Sequence, residues 1–106
     1  MKNVLLNNLK FEYLYRDAGN YKQFGFIVLN NPSNLDPDTA TSLIRKHLID
    51  GEFFYPKKVQ IPLIERYKFD FDLDHQWYEF ENFSFTNEIH TDPRSVETFI
   101  NSFILQ

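Results

Sequence analysis

The 106-residue sequence has no cysteine, which excludes a disulfide scaffold and any zinc site built on thiolates. Its three glycines, Gly19, Gly25 and Gly51, stand apart from one another, so no glycine-rich loop exists to cradle a phosphate, and Gly-x-Ser-x-Gly is absent. Long apolar runs are missing too. The longest, Phe24 to Leu29, is far short of a membrane span, and Val4-Leu5-Leu6 gives way to asparagine before a signal-peptide core is reached. These absences lead to the expectation of a single cytoplasmic domain over residues 1–106 with no membrane association. What the chain does have is core material: 42% of residues are hydrophobic and 18% aromatic, well above what a disordered segment carries.

Basic residues are absent from one stretch. Residues 70 to 92 hold Asp70, Asp72, Asp74, Glu79, Glu81, Glu88 and Asp92 with no Lys or Arg, although the whole chain has a formal net charge of only -4. An unneutralised acidic block repels nucleic-acid phosphate, which binds through basic side chains that displace its counterions. No nucleic acid is therefore expected on residues 70–92, and the partners such a block attracts are a basic protein surface or a divalent cation.

The patterning predicts an α+β fold: an antiparallel sheet of four or five strands with two helices on one face. Leu9 to Arg16 alternates as a half-buried strand, Lys22 to Leu29 reads as a central strand, and Asp17-Ala18-Gly19-Asn20 supplies a hairpin between them. Asp36-Pro37 starts a helix whose stripe is Ala40, Leu43, Ile44, His47 and Leu48, with Gly51 as its C-terminal cap and His47 packed at the core edge. Glu52 to Ile61 reads as an edge strand interrupted by Pro56 and guarded by Lys57 and Lys58. Tyr67 to Asp74 alternates strictly, and Trp77 to Thr86 changes parity near Glu81-Asn82, where a bulge would reconcile the pattern. A second helix is expected from Asp92-Pro93 to the C-terminus with the stripe Val96, Phe99, Ile100, Phe103 and Ile104. Its likeness to the first suggests a ββα unit used twice, or two helices that converged on one capping chemistry.

The sharpest constellation is Asp70-Phe71-Asp72-Leu73-Asp74-His75-Gln76-Trp77-Tyr78-Glu79-Phe80-Glu81. A two-residue turn at 75–76 sets Asp72 opposite Glu79 and Asp70 opposite Glu81, and facing carboxylates repel. A Ca²⁺ or Mg²⁺ ion, a basic partner, or a loop at 70–76 would each relieve this. The stretch has Asp at the first, third and fifth positions of a calcium-binding EF-hand loop and Glu81 at the twelfth, but His75 stands where the turn needs glycine. His75 and His90 flank the carboxylates and give the patch a titratable element. Tyr13, Tyr15, Tyr55, Tyr67, Trp77 and Tyr78 are rings of the kind that anchor interfaces, Trp77 above all.

Three segments, Tyr15-Arg16-Asp17-Ala18-Gly19-Asn20-Tyr21-Lys22, Leu48-Ile49-Asp50-Gly51-Glu52-Phe53-Phe54 and Leu73-Asp74-His75-Gln76-Trp77-Tyr78-Glu79-Phe80-Glu81, resemble parts of a family of small uncharacterised bacterial proteins. The resemblance spans most of the chain. It implies a bacterial or phage origin and a short stand-alone protein, and it carries no activity.

The reading that follows is a non-catalytic protein-binding module or inhibitor of the antitoxin, immunity or anti-defence type. It would engage a basic protein through Asp70, Asp72, Asp74, His75, Trp77, Tyr78, Glu79 and Glu81, without a cofactor. It is expected to be a monomer, or a weak dimer through Tyr13, Tyr15 and Trp77. The alternative is a metal-dependent hydrolase in which the same carboxylates and His75 hold Ca²⁺ or Mg²⁺ and supply the general base.

Overall fold

A computed structural model describes residues 7–64 and 77–104. Strand β1 (Asn8–Arg16) turns into β2 (Lys22–Asn30), followed by helix α1 (Pro37–Arg45), the short strand β3 (Phe53–Phe54) and a 3-10 turn over Pro56–Val59. After residues 65–76 come strands β4 (Tyr78–Thr86) and β5 (Asp92–Ser95) and helix α2 (Val96–Asn101). The fold is α+β, with one five-stranded sheet in the order β3-β4-β1-β2-β5. The sheet is mixed and not antiparallel throughout, because β5 runs parallel to β2. The expected strand over 67–74 lies outside the described residues.

Local chemistry accounts for the two long pairings. In the β1–β2 turn the Asp17 carboxylate accepts from the Gly19 and Tyr21 amides at 2.9 Å, and Asn20 takes a φ of 66°, which its short polar side chain tolerates. The ladder then runs unbroken from Arg16 opposite Lys22 to Leu29 opposite Leu9. On the other side of β1, Glu12 faces Asn82 and Tyr13 faces Phe80, so Glu81 is an extra residue in β4. This bulge resolves the parity change in the sequence: it turns both Phe80 and Phe83 into the core.

The core is built on one face of β1. Leu9, Phe11, Tyr13 and Tyr15 join Ile27, Leu29, Phe54, Tyr78, Phe80 and Phe83 in a single buried cluster, which also takes Ala40 and Ile44 of α1 and Val96, Phe99 and Ile100 of α2. Phe11 lies at its middle, with its ring centroid 4.8 Å from Phe99, 5.3 Å from Phe83 and 5.5 Å from Phe80. Gly25 opposite Tyr13 is required by this packing, since a Cβ there would fall 2.8 Å from the tyrosine ring.

Three further expectations are corrected. The Asp36 side chain caps α1 by accepting from the Thr39 amide at 3.0 Å, as its Asp-Pro signal implies. Asp92, with the same dipeptide, sits in β5, and α2 starts only at Val96 with Ser95 as its cap. Arg94 claims the Asp92 carboxylate, by its own amide at 2.9 Å and by its guanidinium at 2.7 and 2.9 Å. That guanidinium also donates to the Val59 and Gln60 carbonyls, tying β5 to the 3-10 turn. Second, the Glu52–Ile61 edge strand is cut to Phe53–Phe54 because Pro56 opens the 3-10 turn; among the described residues β3 is the end strand of the sheet. Third, Gly51 is not the cap of α1, whose C-cap is Lys46. It belongs to a separate turn described below.

Candidate binding pocket

The last turn of α1 leads through the buried anchor Leu48 into a tight reversal. Asp50 and Gly51 take φ values of 53° and 73°, the Glu52 amide bonds back to the Ile49 carbonyl at 3.0 Å, and Ile49 pairs with Phe53 as an antiparallel bridge. Two consecutive left-handed residues closed by such a bond make a type I′ turn, and Asp-Gly is the dipeptide this turn favours. Arg45 of α1 fastens it, donating to the Gly51 carbonyl at 2.7 Å.

The turn delivers the chain into β3, which pairs with β4 so that Phe53 faces Glu79 and Phe54 faces Tyr78. Phe54 and Tyr78 point into the core. Continuing the register sets Tyr55 opposite Trp77, on the side away from the core together with Phe53. Ile49, Asp50, Phe53, Tyr55 and Trp77 line a pocket of about 250 Å³. Ile49 and Asp50 are exposed, Phe53 and Tyr55 half-buried, and Trp77, the one tryptophan of the chain, is 37% exposed.

The expected site residues separate. Asp70, Asp72, Asp74 and His75 lie outside the described residues. Trp77 lines the pocket, whereas Tyr78 is not a surface residue: it is 1% exposed, stacks on Tyr13 at 5.8 Å and accepts from the Ile64 amide through its hydroxyl. Tyr13 and Tyr15, expected at a dimer face, are likewise buried in the core. Burial, and behind it the neighbouring Tyr78, pushes the Tyr13 hydroxyl up to about 12. Glu79 is half-buried and held in a fork by Arg16, from Nε at 2.9 Å and Nη2 at 3.3 Å. Its ladder positions are filled by Leu14 of β1 and Phe53 of β3; Asp72, its partner if residues 75–76 form a two-residue turn, lies outside the described residues. Glu81, in the bulge, is exposed.

The acidity of the segment is also less than its sequence suggests. Glu79 pairs with Arg16, Glu88 with Lys10 at 3.0 Å and Asp92 with Arg94 at 2.7 Å. These cations lower the Glu88 and Asp92 carboxyls below the usual range, by hydrogen bonding first in each case. Asp50, which lines the pocket, and Glu52, two residues on, are exposed carboxylates that a reading confined to residues 70–92 missed. The Asp50-Gly51 dipeptide, a hairpin signal, was the clue to their position. Arg16 of β1, Phe53 of β3 and Glu79 of β4 are brought together by the Arg16–Glu79 pair and the β3–β4 ladder.

Among the described residues, no three His, Asp or Glu side chains are grouped to hold a metal ion, and no helix is long and apolar enough to cross a membrane. Comparison with protein-family models, with curated proteins and with solved structures finds no match in any of the three.

Proposed function

We propose that the chain is a non-catalytic binding module of the antitoxin, immunity or anti-defence kind, acting in the cytoplasm as a monomer or weak dimer. It engages a basic protein through the surface around Trp77 with the carboxylates of Asp50, Glu52 and Glu81, and through Asp70, Asp72 and Asp74 of the segment outside the described residues. The observation that carries this reading is the pocket at the β3–β4 edge, where three aromatic side chains and a carboxylate share one small concavity. Aromatic anchors in a concavity are what protein interfaces use for affinity, and surrounding charge gives them rate and selectivity. Both helices contribute to one core cluster with the odd-numbered residues of β1. This supports placing them on the same face.

The test is retention of the immobilised protein on an array of defined peptides of graded charge, read between about 0.05 and about 0.5 M salt, a range over which exposed-charge fields shorten several-fold. Retention rising with Lys and Arg content, falling with salt and weakened in an Asp70→Asn/Asp72→Asn/Asp74→Asn variant is the expected result. Equal retention of acidic and basic peptides overturns it. Melting in millimolar Ca²⁺ or Mg²⁺ is the companion measurement: a Tm rising with the ion moves the assignment to the metal-dependent hydrolase, because only a ligand of the native state stabilises it by mass action.

A further inference from the structure

We infer that the pocket of Ile49, Asp50, Phe53, Tyr55 and Trp77 receives one cationic side chain of the partner, a lysine ammonium or an arginine guanidinium at the end of its aliphatic stem. The inference rests on the binding reading above and names the group recognised.

The size comes first. At about 250 Å³ the concavity is smaller than the roughly 300–1,000 Å³ typical of pockets that bury a whole small molecule. It suits one long side chain. The chemistry of the walls comes next. Phe53, Tyr55 and Trp77 present π-systems whose faces are electrostatically negative, and such faces attract ammonium and guanidinium groups within about 6 Å of the ring centre, tryptophan most strongly. Ile49 adds an aliphatic wall for the methylene stem, and Asp50 supplies a full negative charge.

The molecule already uses this chemistry on the adjoining ring. Lys58 Nζ lies 5.0 Å from the Tyr55 ring centroid, while Lys58 itself does not line the pocket. Tyr55 thus has one cation near its ring and also forms a wall of the pocket in which a second would sit. Lys58 opposes that second cation by like-charge repulsion, so its removal strengthens binding. Asp50 acts in the opposite sense, and its position is fixed by the Asp50-Gly51 turn and the bond from Arg45 to Gly51. A nucleotide base, the other flat group that aromatic walls accept, brings a phosphate that Asp50 repels.

The single tryptophan makes the pocket its own reporter. Gly/Ser octapeptides carrying one central Lys, Arg, norleucine or citrulline are titrated while Trp77 emission is followed. The expected result is a saturable change with Lys and Arg, weaker by about three- to tenfold for norleucine and citrulline. Asp50→Asn should weaken the Lys and Arg response by about two- to fivefold, and Lys58→Gln should strengthen it by a similar factor. Norleucine matching lysine overturns the inference in favour of a merely apolar pocket, and a response to mononucleotides but not to the peptides overturns it in favour of base stacking. If basic peptides are retained on the array in a salt-sensitive way while Trp77 emission stays unchanged, the pocket assignment fails and the binding reading stands. If both are silent, both fail. Trp77→Phe, which keeps an aromatic wall, controls for folding by its melting temperature and should lose the emission signal but keep retention on the array.

Discussion

The aromatic residues of this chain fall into two groups of similar chemistry and different employment. Around Phe11 the rings of Tyr13, Phe54, Phe80, Phe83, Phe99 and Phe103 pack on one another at 4.8 to 6.1 Å, sealed from water. At the β3–β4 edge Phe53, Tyr55 and Trp77 are only partly covered and line an opening with Asp50. Phe53 and Phe54 are adjacent in sequence and belong to opposite groups, because successive residues of a strand point to opposite faces. Ring content alone thus says little about function. The difference is made by burial: the core group is sealed from water and carries stability, while the edge group lines a partly open concavity.

The strongest way to break this comparison is to truncate one member of each group. Phe11→Ala removes the ring on which the others converge and should cost about 3–5 kcal/mol, lowering Tm by about 15 °C or more in a domain of this size. Trp77→Ala should cost no more than about 1 kcal/mol and weaken the retention of basic peptides on the array. Thermal melts of the two variants, read with array retention for each, check the division. A Trp77 variant as unstable as the Phe11 variant would make the edge rings part of the core.

A second experiment uses the alkaline limb of stability. Tyr13 is buried with its hydroxyl 3.3 Å from the Pro62 carbonyl, and its pKa is pushed up to about 12 from the ordinary 10.0. The folded state thus holds its proton where the unfolded state has released it. Stability from this group is fully present below pH 10 and falls as pH rises from 10 towards 12, by about 2–3 kcal/mol in all. Tyr13→Phe should begin slightly less stable at neutral pH, having lost the bond to Pro62, and should decline less steeply above pH 10. Denaturant melts at pH 8, 10 and 11 measure the two slopes, and equal slopes would place the alkaline sensitivity elsewhere.

How much of this was legible beforehand follows from the range of the interactions. The β1–β2 hairpin and the α1 cap are local: Asp17, Asn20 and Asp36 act within four residues of themselves, and the sequence predicts them. The bulge at Glu81 was legible as a change of parity. Asp92 misled because its fate is decided by Arg94, which is tied in turn to carbonyls 34 and 35 residues away. The partner of Glu79 was hidden for the same reason: Arg16 pairs with it from 63 positions upstream, and a linear count of charge has no access to strand partners. Trp77 was picked out by its chemistry alone, whereas Ile49, Asp50, Phe53 and Tyr55 join it only through the β3–β4 register. Gly51 followed a helical stripe closely enough to resemble a helix cap, although Asp50-Gly51 equally announced the turn it actually makes.

The smallest effect is expected at that turn, and it sharpens the comparison best because it separates shape from stability within the edge. Gly51 has a φ of 73°, and a Cβ built there meets nothing within 4 Å. The cost of Gly51→Ala is therefore backbone strain without steric clash, about 1 kcal/mol, or about 4–8 °C in Tm. Asparagine tolerates the left-handed region, so Gly51→Asn should recover most of that loss. The turn sets where Ile49 and Asp50 stand relative to Trp77, whereas Phe11 and its neighbours do not depend on it. Gly51→Ala should accordingly weaken the Trp77 response to lysine peptides by more than its modest destabilisation implies, with Gly51→Asn near the wild type in both measurements. A loss of response that Gly51→Asn does not restore, despite a recovered Tm, would mean that the glycine is needed for space at the pocket mouth and not for the angle of the turn.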